Sequence, residues 1–230
     1  MKTAGGSDDA KRRAGESAAD RVHDGAVVGL GTGSTAAHAI RALGRAADAG
    51  LDLRGVSTSF QSRQLAREVG VPLVDLDDVE RIDVAIDGAD QFAGADLVKG
   101  GGAAHAREKV VDAAAERLLV VVDPSKRAAV LSHPVPVEVL PAARTTVARA
   151  VEAHGGEPTL RTAERKDGPV VTDNGNLVLD CDFGAIDDPA GLARRLSETP
   201  GVVEHGLFVG LVDEFHLGTD AGVDVWEPTD

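Results

Sequence analysis

The sequence predicts an α/β protein, with an open parallel sheet followed by a second, smaller α+β domain. Three observations carry this. From Gly25 to Asp123, short apolar runs alternate with helical periods, the mark of strand–helix repetition in a parallel sheet. The run Leu118-Leu119-Val120-Val121-Val122 is apolar at every position, as a strand covered on both faces requires. After Leu131 the texture changes: Pro134, Pro136 and Pro141 punctuate the chain, and Asp173-Asn174-Gly175-Asn176 carries the Asn-Gly hairpin signal.

In order, the pattern predicts a strand at Ala26–Leu30, a helix at Ala36–Ala49, a strand at Leu51–Val56 and a helix at Phe60–Val69. A short strand at Val71–Leu76, a strand at Arg81–Ile86, a helix at Ala103–Glu116 and a strand at Leu118–Val122 follow. The second half reads as a strand at Val137–Leu140, a helix at Thr145–His154, and strands at Pro158–Thr162, Val170–Thr172 and Leu177–Asp182. A helix at Pro189–Ser197 and a strand at Val202–Glu204 complete it, and Leu207–Val212 with Glu214–Leu217 are expected to return to the first sheet. The expected domains are residues 1–131 with 207–230, and 132–206.

Composition narrows the function. The chain has 230 residues, 43% of them apolar, and a formal net charge of −14. Such a surface repels nucleic acid unless a basic stripe overrides it, and none is evident. No apolar run is long enough to span a bilayer, and Met1 to Asp20 lacks a hydrophobic signal core. Cys181 is the only cysteine, which excludes an internal disulfide and suits a reducing cytoplasm. The acidic excess fits a surface adapted to high salt, with a GC-rich codon bias as the alternative source of Arg, Ala, Gly and Asp.

Several segments carry possible chemistry. Gly31-Thr32-Gly33-Ser34-Thr35 joins the first strand to its helix, where glycine N–H groups, hydroxyls and the helix dipole favour an anion such as phosphate. A simple capped turn is the alternative. With Ala36 the run also matches G-x-G-x-x-A, but the second strand ends in Ser57-Thr58-Ser59, without the carboxylate a dinucleotide ribose needs. That triplet reads better as a helix cap. Asp87-Gly88-Ala89-Asp90 follows the strand ending at Ile86, where open α/β sheets bind ligands, though a solvated turn would look the same. Lys99-Gly100-Gly101-Gly102 leads into a helix, and three glycines lose much entropy on ordering unless a backbone must approach a ligand closely. Glu108 is the only charge in the stripe Ala104, Glu108, Val111, Ala115; burial would suit it to proton transfer, but periodicity alone favours a boundary glutamate. Lys126, in Asp123-Pro124-Ser125-Lys126, is placed to supply a cation. The seven histidines are scattered without metal-ligand spacing, so neither a metal nor another cofactor is expected.

Taken in order, these segments resemble ribose-5-phosphate isomerase A. The matching runs include Val28–His38, Asp87–Asp90, Lys99–Ala104, Arg107-Glu108-Lys109, Asp123–Lys126, Pro136–Val139, Val171–Asn176 and Pro200–Phe208. The resemblance implies a Rossmann-like domain plus a ferredoxin-like domain, in dimers or tetramers. It implies metal-free interconversion of D-ribose 5-phosphate and D-ribulose 5-phosphate through an enediolate. Carried onto this sequence, Glu108 is the base, and Lys99 with the glycine amides stabilises the oxyanion. Asp87 and Asp90 bind hydroxyls and assist ring opening, Thr32 to Thr35 with Gly88 and Ala89 line the site, and Lys126 holds the phosphate. The chain departs from the family at Gln91, where Glu is common, at His105 and Ala106, which replace Leu-Thr, and in the tail from Asp213. Two rivals are weaker. A sugar-phosphate-sensing regulator needs a DNA-binding segment, for which the residues before Gly25 and the charge are unsuited, and an acyl-CoA transferase needs a nucleophile and coenzyme site that are not identifiable.

Overall fold

The computed structural model describes residues 6–164 and 167–228. Along the chain come α1 (Asp8–Ala19), β1 (Ala26–Leu30), α2 (Ser34–Asp48), β2 (Leu53–Ser57), α3 (Phe60–Glu68) and β3 (Val84–Gly88). Then follow β4 (Gln91–Ala93), β5 (Asp96–Val98), α4 (His105–Ala114), β6 (Leu118–Val122), β7 (Val135–Val139) and α5 (Arg144–Ala153). The last elements are β8 (Glu157–Leu160), β9 (Leu177–Asp182), α6 (Pro189–Ser197), β10 (Val202–His205), β11 (Leu207–Phe208), β12 (Glu214–Gly218) and β13 (Val223–Trp226). By their contacts these separate into two units, one taking Asp90–Ala106 and Ala128–Gly210, the other taking residues 6–89, Arg107–Arg127 and residues 211–228.

The larger unit is built on a six-stranded sheet in the order β13-β12-β6-β3-β1-β2. Every pair is parallel except β12 with β13, which is antiparallel. β1, β6 and β12 are buried along their whole length, which is why their sequences are apolar on both faces or pair their polar groups internally. Residues of α1 and α2, including Ala14, Ala18, Ile40 and Leu43, pack with Val28, Leu30 and Val121 of the sheet. α2 begins at Ser34, two residues before the expected start, because Gly33 adopts φ 111° and turns the chain there. The expected strand at Val71–Leu76 reduces to a single bridge between Gly55 and Leu73, and a 3-10 turn occupies Leu76–Asp78.

The smaller unit contains a four-stranded antiparallel sheet in the order β10-β7-β9-β8. Its connectivity, β7-α5-β8-β9-α6-β10, is the ferredoxin-like βαββαβ arrangement. Val137, Val139, Leu179 and Cys181 pack against Val147 and Val151 of α5 and Leu192 and Leu196 of α6. Burial there pushes the Cys181 thiol up to about 12, so it behaves as an apolar core group. The expected strand Val170–Thr172 reduces to a single bridge, Val171 with Leu177, with a separate bridge, Thr162 with Pro169, just before it. The Asn-Gly turn does form: Gly175, at φ 83°, donates to the Thr172 carbonyl at 2.9 Å. A separate three-stranded sheet runs β11-β5-β4. Leu207–Val212 therefore does not return to the first sheet; its strand, β11, pairs antiparallel with β5. The segment after it does return, as β12 beside β6. Among the described residues, no helix is long and apolar enough to cross a membrane.

Candidate active site

In the larger unit, β1 has β2 on one side and β3 on the other, so the connections leaving β1 and β3 diverge. That is the switch point at which open α/β sheets leave a crevice beyond the carboxyl ends of the strands. Leu30 of β1 is in register with Ile86 of β3, so Gly31 and Asp87 sit side by side at those ends. A Cβ on Gly31 would collide with the Asp87 side chain, which only glycine avoids. Asp87 is buried, and its Oδ1 accepts the N–H of Thr32 at 3.0 Å and of Gly88 at 2.7 Å. The Thr32 hydroxyl turns the other way, donating to Ser59 Oγ at 2.7 Å and lying 2.8 Å from Thr58 Oγ1. Ser59 in turn caps α3 in a reciprocal capping box with Ser62, as the cap reading of Ser57-Thr58-Ser59 expects. Gly33 caps α2 without a side-chain bond, and the first turn of α2, with Ser34 exposed and Thr35 buried, has no acidic residue. Its N–H groups and dipole are set for an anion.

Glu108 lies in the first turn of α4 at 4% exposure, and Ala104 and Val111 of its stripe are buried with it. The boundary reading of this glutamate therefore fails. Asp112, one turn further along α4, is buried as well, and no sequence signal singled it out. Lys126 ends a 3-10 turn after β6, capped by Asp123, and is 9% exposed.

In the smaller unit, Asp90 and Lys99 flank the β4–β5 hairpin. Asp90 donates its N–H to the Val98 carbonyl, and Lys99 its N–H to Gly206, each at 2.8 Å. The N–H of Gly101 donates to Asp90 Oδ2 at 2.6 Å, and a Cβ there would lie only 2.6 Å from Oδ1. Gly100 has φ 103°, and a Cβ on it would meet His105 Nδ1 at 2.7 Å. His105 is thus packed beneath the turn as the first residue of α4. The turn closes through Ala103, a non-glycine at φ 60°, whose N–H reaches the Gly100 carbonyl at 2.9 Å. The Lys99 ammonium, nearly buried, lies 5.2 Å from the centre of the Phe208 ring.

Residues 54–222 match the family model of ribose 5-phosphate isomerase A (phosphoriboisomerase A). The chain belongs to that family. It is 72% identical over 221 residues to the ribose-5-phosphate isomerase A of Haloarcula marismortui, covering 96% of each chain. The solved ribose 5-phosphate isomerase A of Methanocaldococcus jannaschii superposes with a TM-score of 0.91 at 44% identity, over 95% of this chain and 98% of that one. A D-ribose-5-phosphate isomerase solved in complex with phospho-erythronic acid gives a TM-score of 0.93 at 39% identity, over 97% of this chain and 100% of that one.

The family's usual Glu after Asp-Gly-Ala-Asp is Gln91 here, and its role is visible. Gln91 Oε1 accepts the N–H of Ser132 at 2.6 Å and of His133 at 2.9 Å, anchoring the loop that enters β7. Ala106 is buried beside His105 on α4, so neither departure before Arg107-Glu108-Lys109 lies at the surface. Arg161 also reaches the glycine turn. Its Nη1 donates to the Gly100 carbonyl at 2.9 Å, and no motif marks it.

Proposed function

We infer that this member of the ribose-5-phosphate isomerase A family interconverts D-ribose 5-phosphate and D-ribulose 5-phosphate, with Glu108 as the base that carries the proton. The buried position of Glu108 at the head of α4 is the observation that supports this role most directly. In the open-chain aldose, Glu108 takes the proton from C2. The C1 carbonyl becomes an enediolate oxygen, the hydroxyl proton on O2 passes to O1, and the same carboxyl returns its proton to C1 as O2 becomes the ketone. The Lys99 ammonium balances the negative charge that develops on oxygen, together with backbone N–H groups of Gly100 to Gly102 not otherwise engaged. Asp87 and Asp90, each held by backbone N–H groups, bind hydroxyls and assist ring opening. The start of α2 at Gly33, Ser34 and Thr35, with Thr32, Gly88 and Ala89 alongside and Lys126 as the cation, holds the phosphate end.

Phospho-erythronic acid, bound in one of the related structures, presents a planar, anionic carboxylate; the enediolate, with one oxygen on each of two adjacent trigonal carbons, is likewise planar and anionic. That likeness supports an intermediate of the same shape here. The chain acts on a small phosphorylated sugar in the cytoplasm, as a homodimer or homotetramer, with no nucleic-acid or membrane partner and no cofactor. The test is incubation with ribose 5-phosphate in EDTA. Formation of ribulose 5-phosphate is expected, and absence of turnover at every salt concentration from dilute buffer to molar KCl overturns the reading.

A further inference from the structure

Arg161 takes no part in the chemistry above, yet it grips the turn on which that chemistry depends. β8 and β9 run antiparallel with Thr159 opposite Asp180, and the Arg161 N–H donates to the Val178 carbonyl at 2.9 Å. Arg161 and Asp180 are therefore diagonal neighbours. Leu179 and Cys181 face the helices, so Asp180 points to the other face of the sheet. There the guanidinium holds the carboxylate at two points, Nε to Oδ2 at 2.9 Å and Nη2 to Oδ1. Burial alone would raise the Asp180 carboxyl, but the Arg161 hydrogen bond and charge outweigh it and hold it below its ordinary 3.8. Nη1 remains, and it reaches past Asp180 to the carbonyls of Gly100 at 2.9 Å and Gly101 at 3.4 Å.

These two carbonyls are informative because the peptide group is planar. The Gly100 oxygen shares its plane with the Gly101 N–H, and the Gly101 oxygen shares its plane with the Gly102 N–H. Fixing each oxygen fixes the opposite N–H. The Gly101 N–H then meets Asp90 Oδ2, and Gly102 stands exposed at the top of the turn. We propose that Arg161, locked by Asp180, is a positioning residue for the isomerisation, setting the peptide planes that aim the Gly101 and Gly102 N–H groups. A purely structural ion pair would have no use for the third contact point on the glycine turn.

The kinetic test rests on the isomerase reading; an amide-exchange measurement does not. Arg161→Lys keeps the charge but lacks the fork, so it cannot hold Asp180 and the turn together. It is expected to lower kcat by roughly 10- to 100-fold, the scale of a small misplacement at the reacting centre. KM should change by less than about threefold, because the phosphate end is held elsewhere, and Tm by no more than a few degrees, about the shift of one lost pair. Asp180→Asn should lower kcat in the same direction, and the double substitution should be no worse than Arg161→Lys alone, because Asp180 acts through Arg161. Exchange of the Gly101 amide hydrogen should quicken in both single variants whether or not the protein turns over ribose 5-phosphate. Wild-type kcat in folded Arg161→Lys, an unchanged Gly101 exchange rate, or additive effects in the double variant would overturn the proposal. Should Arg161→Lys fail to fold, Asp180→Asn with unchanged kcat and Gly101 exchange does so by itself. No turnover by the unsubstituted chain would instead remove the isomerase reading and leave the exchange result to decide this one.

Discussion

Asp87 and Glu108 are both buried carboxylates on different elements, and the difference suits them to the separate roles proposed above. Asp87 receives two backbone N–H groups on one oxygen and is wedged against Gly31, so it is fixed in place at the strand ends. Glu108 stands in the first turn of a helix, on a backbone that does not move when its side chain rotates. The proposed base serves two adjacent carbons, and the first turn of a helix gives it a fixed backbone anchor beside both. Glu108→Gln keeps the shape and removes the proposed base. It is expected to lose roughly 10²–10⁴-fold in kcat, the usual scale for general base catalysis. Titration calorimetry with ribose 5-phosphate should show binding retained. A variant with near-normal kcat would take Glu108 out of the mechanism.

Between elements, the tie of α1 to β12 shows how a buried histidine makes a junction sensitive to acid. His216 of β12 is fully buried, with Nδ1 2.8 Å from Ser17 Oγ of α1 and Nε2 2.8 Å from Glu214 Oε1. Glu214 also takes Arg21, just past α1, at 3.0 Å and Arg117 at 2.9 Å. Burial, with Arg21 and Arg117, pushes His216 below its ordinary 6.5 against the pull of Glu214. Burial would raise Glu214, but His216, Arg21 and Arg117 together hold it below 4.5. The unfolded chain then takes up a proton at His216 that the folded chain refuses, so this contribution is present above pH 6.5 and is lost as pH falls toward the folded value. The Glu214 contribution is present above 4.5 and is lost at lower pH still. Tm is therefore expected to fall as pH is lowered from 7 to 5, by about 2–4 °C for each kcal/mol involved. His216→Gln should flatten part of that fall and spare the limb below pH 4.5; an unchanged slope in the variant would contradict the assignment.

The same scale shows what can be read from a sequence. β6, β9 and α6 have the expected bounds because each carries its own signal: an unbroken apolar run, an Asn-Gly turn just before the strand, and Pro189 after a capping Asp188. α1 went unread because its buried stripe is Ala10, Ala14 and Ala18 in a charged segment, too small a contrast for periodicity to register. β4 and β5 are three residues each, shorter than any alternation can reveal. The glycine turns and carboxylates announced themselves as motifs. Arg161 and Asp180 did not, because they lie 19 residues apart and only the register of β8 and β9 brings them together.

For the whole molecule, the dominant quantity is charge. Asp and Glu number 38 against 24 Lys and Arg, and the resulting −14 repels itself in dilute buffer. Pairs such as Arg12 with Asp9 and Glu16 are local and exposed, and relieve little of it. Salt screens this repulsion over about 10 Å at 0.1 M and about 3 Å at 1 M. Tm is therefore expected to rise between low-salt buffer and molar KCl. A melting temperature that stayed level or fell would mean that the acidic surface is not an adaptation to salt.

The bond from the Lys99 N–H to the Gly206 carbonyl, and the pairing of β5 with β11 beside it, also bear on the order in which the molecule assembles. The two partners stand almost half the chain apart. Contacts of that span bear a large loop-closure entropy and form late. Neighbouring strands such as β1 and β2 can pair as soon as α2 between them has folded. The turn that carries Lys99 must wait for residues near the far end of the chain. Catalytic competence is then among the last properties this protein acquires during folding, and a partly folded chain with much of its sheet in place would still be inert toward its substrate.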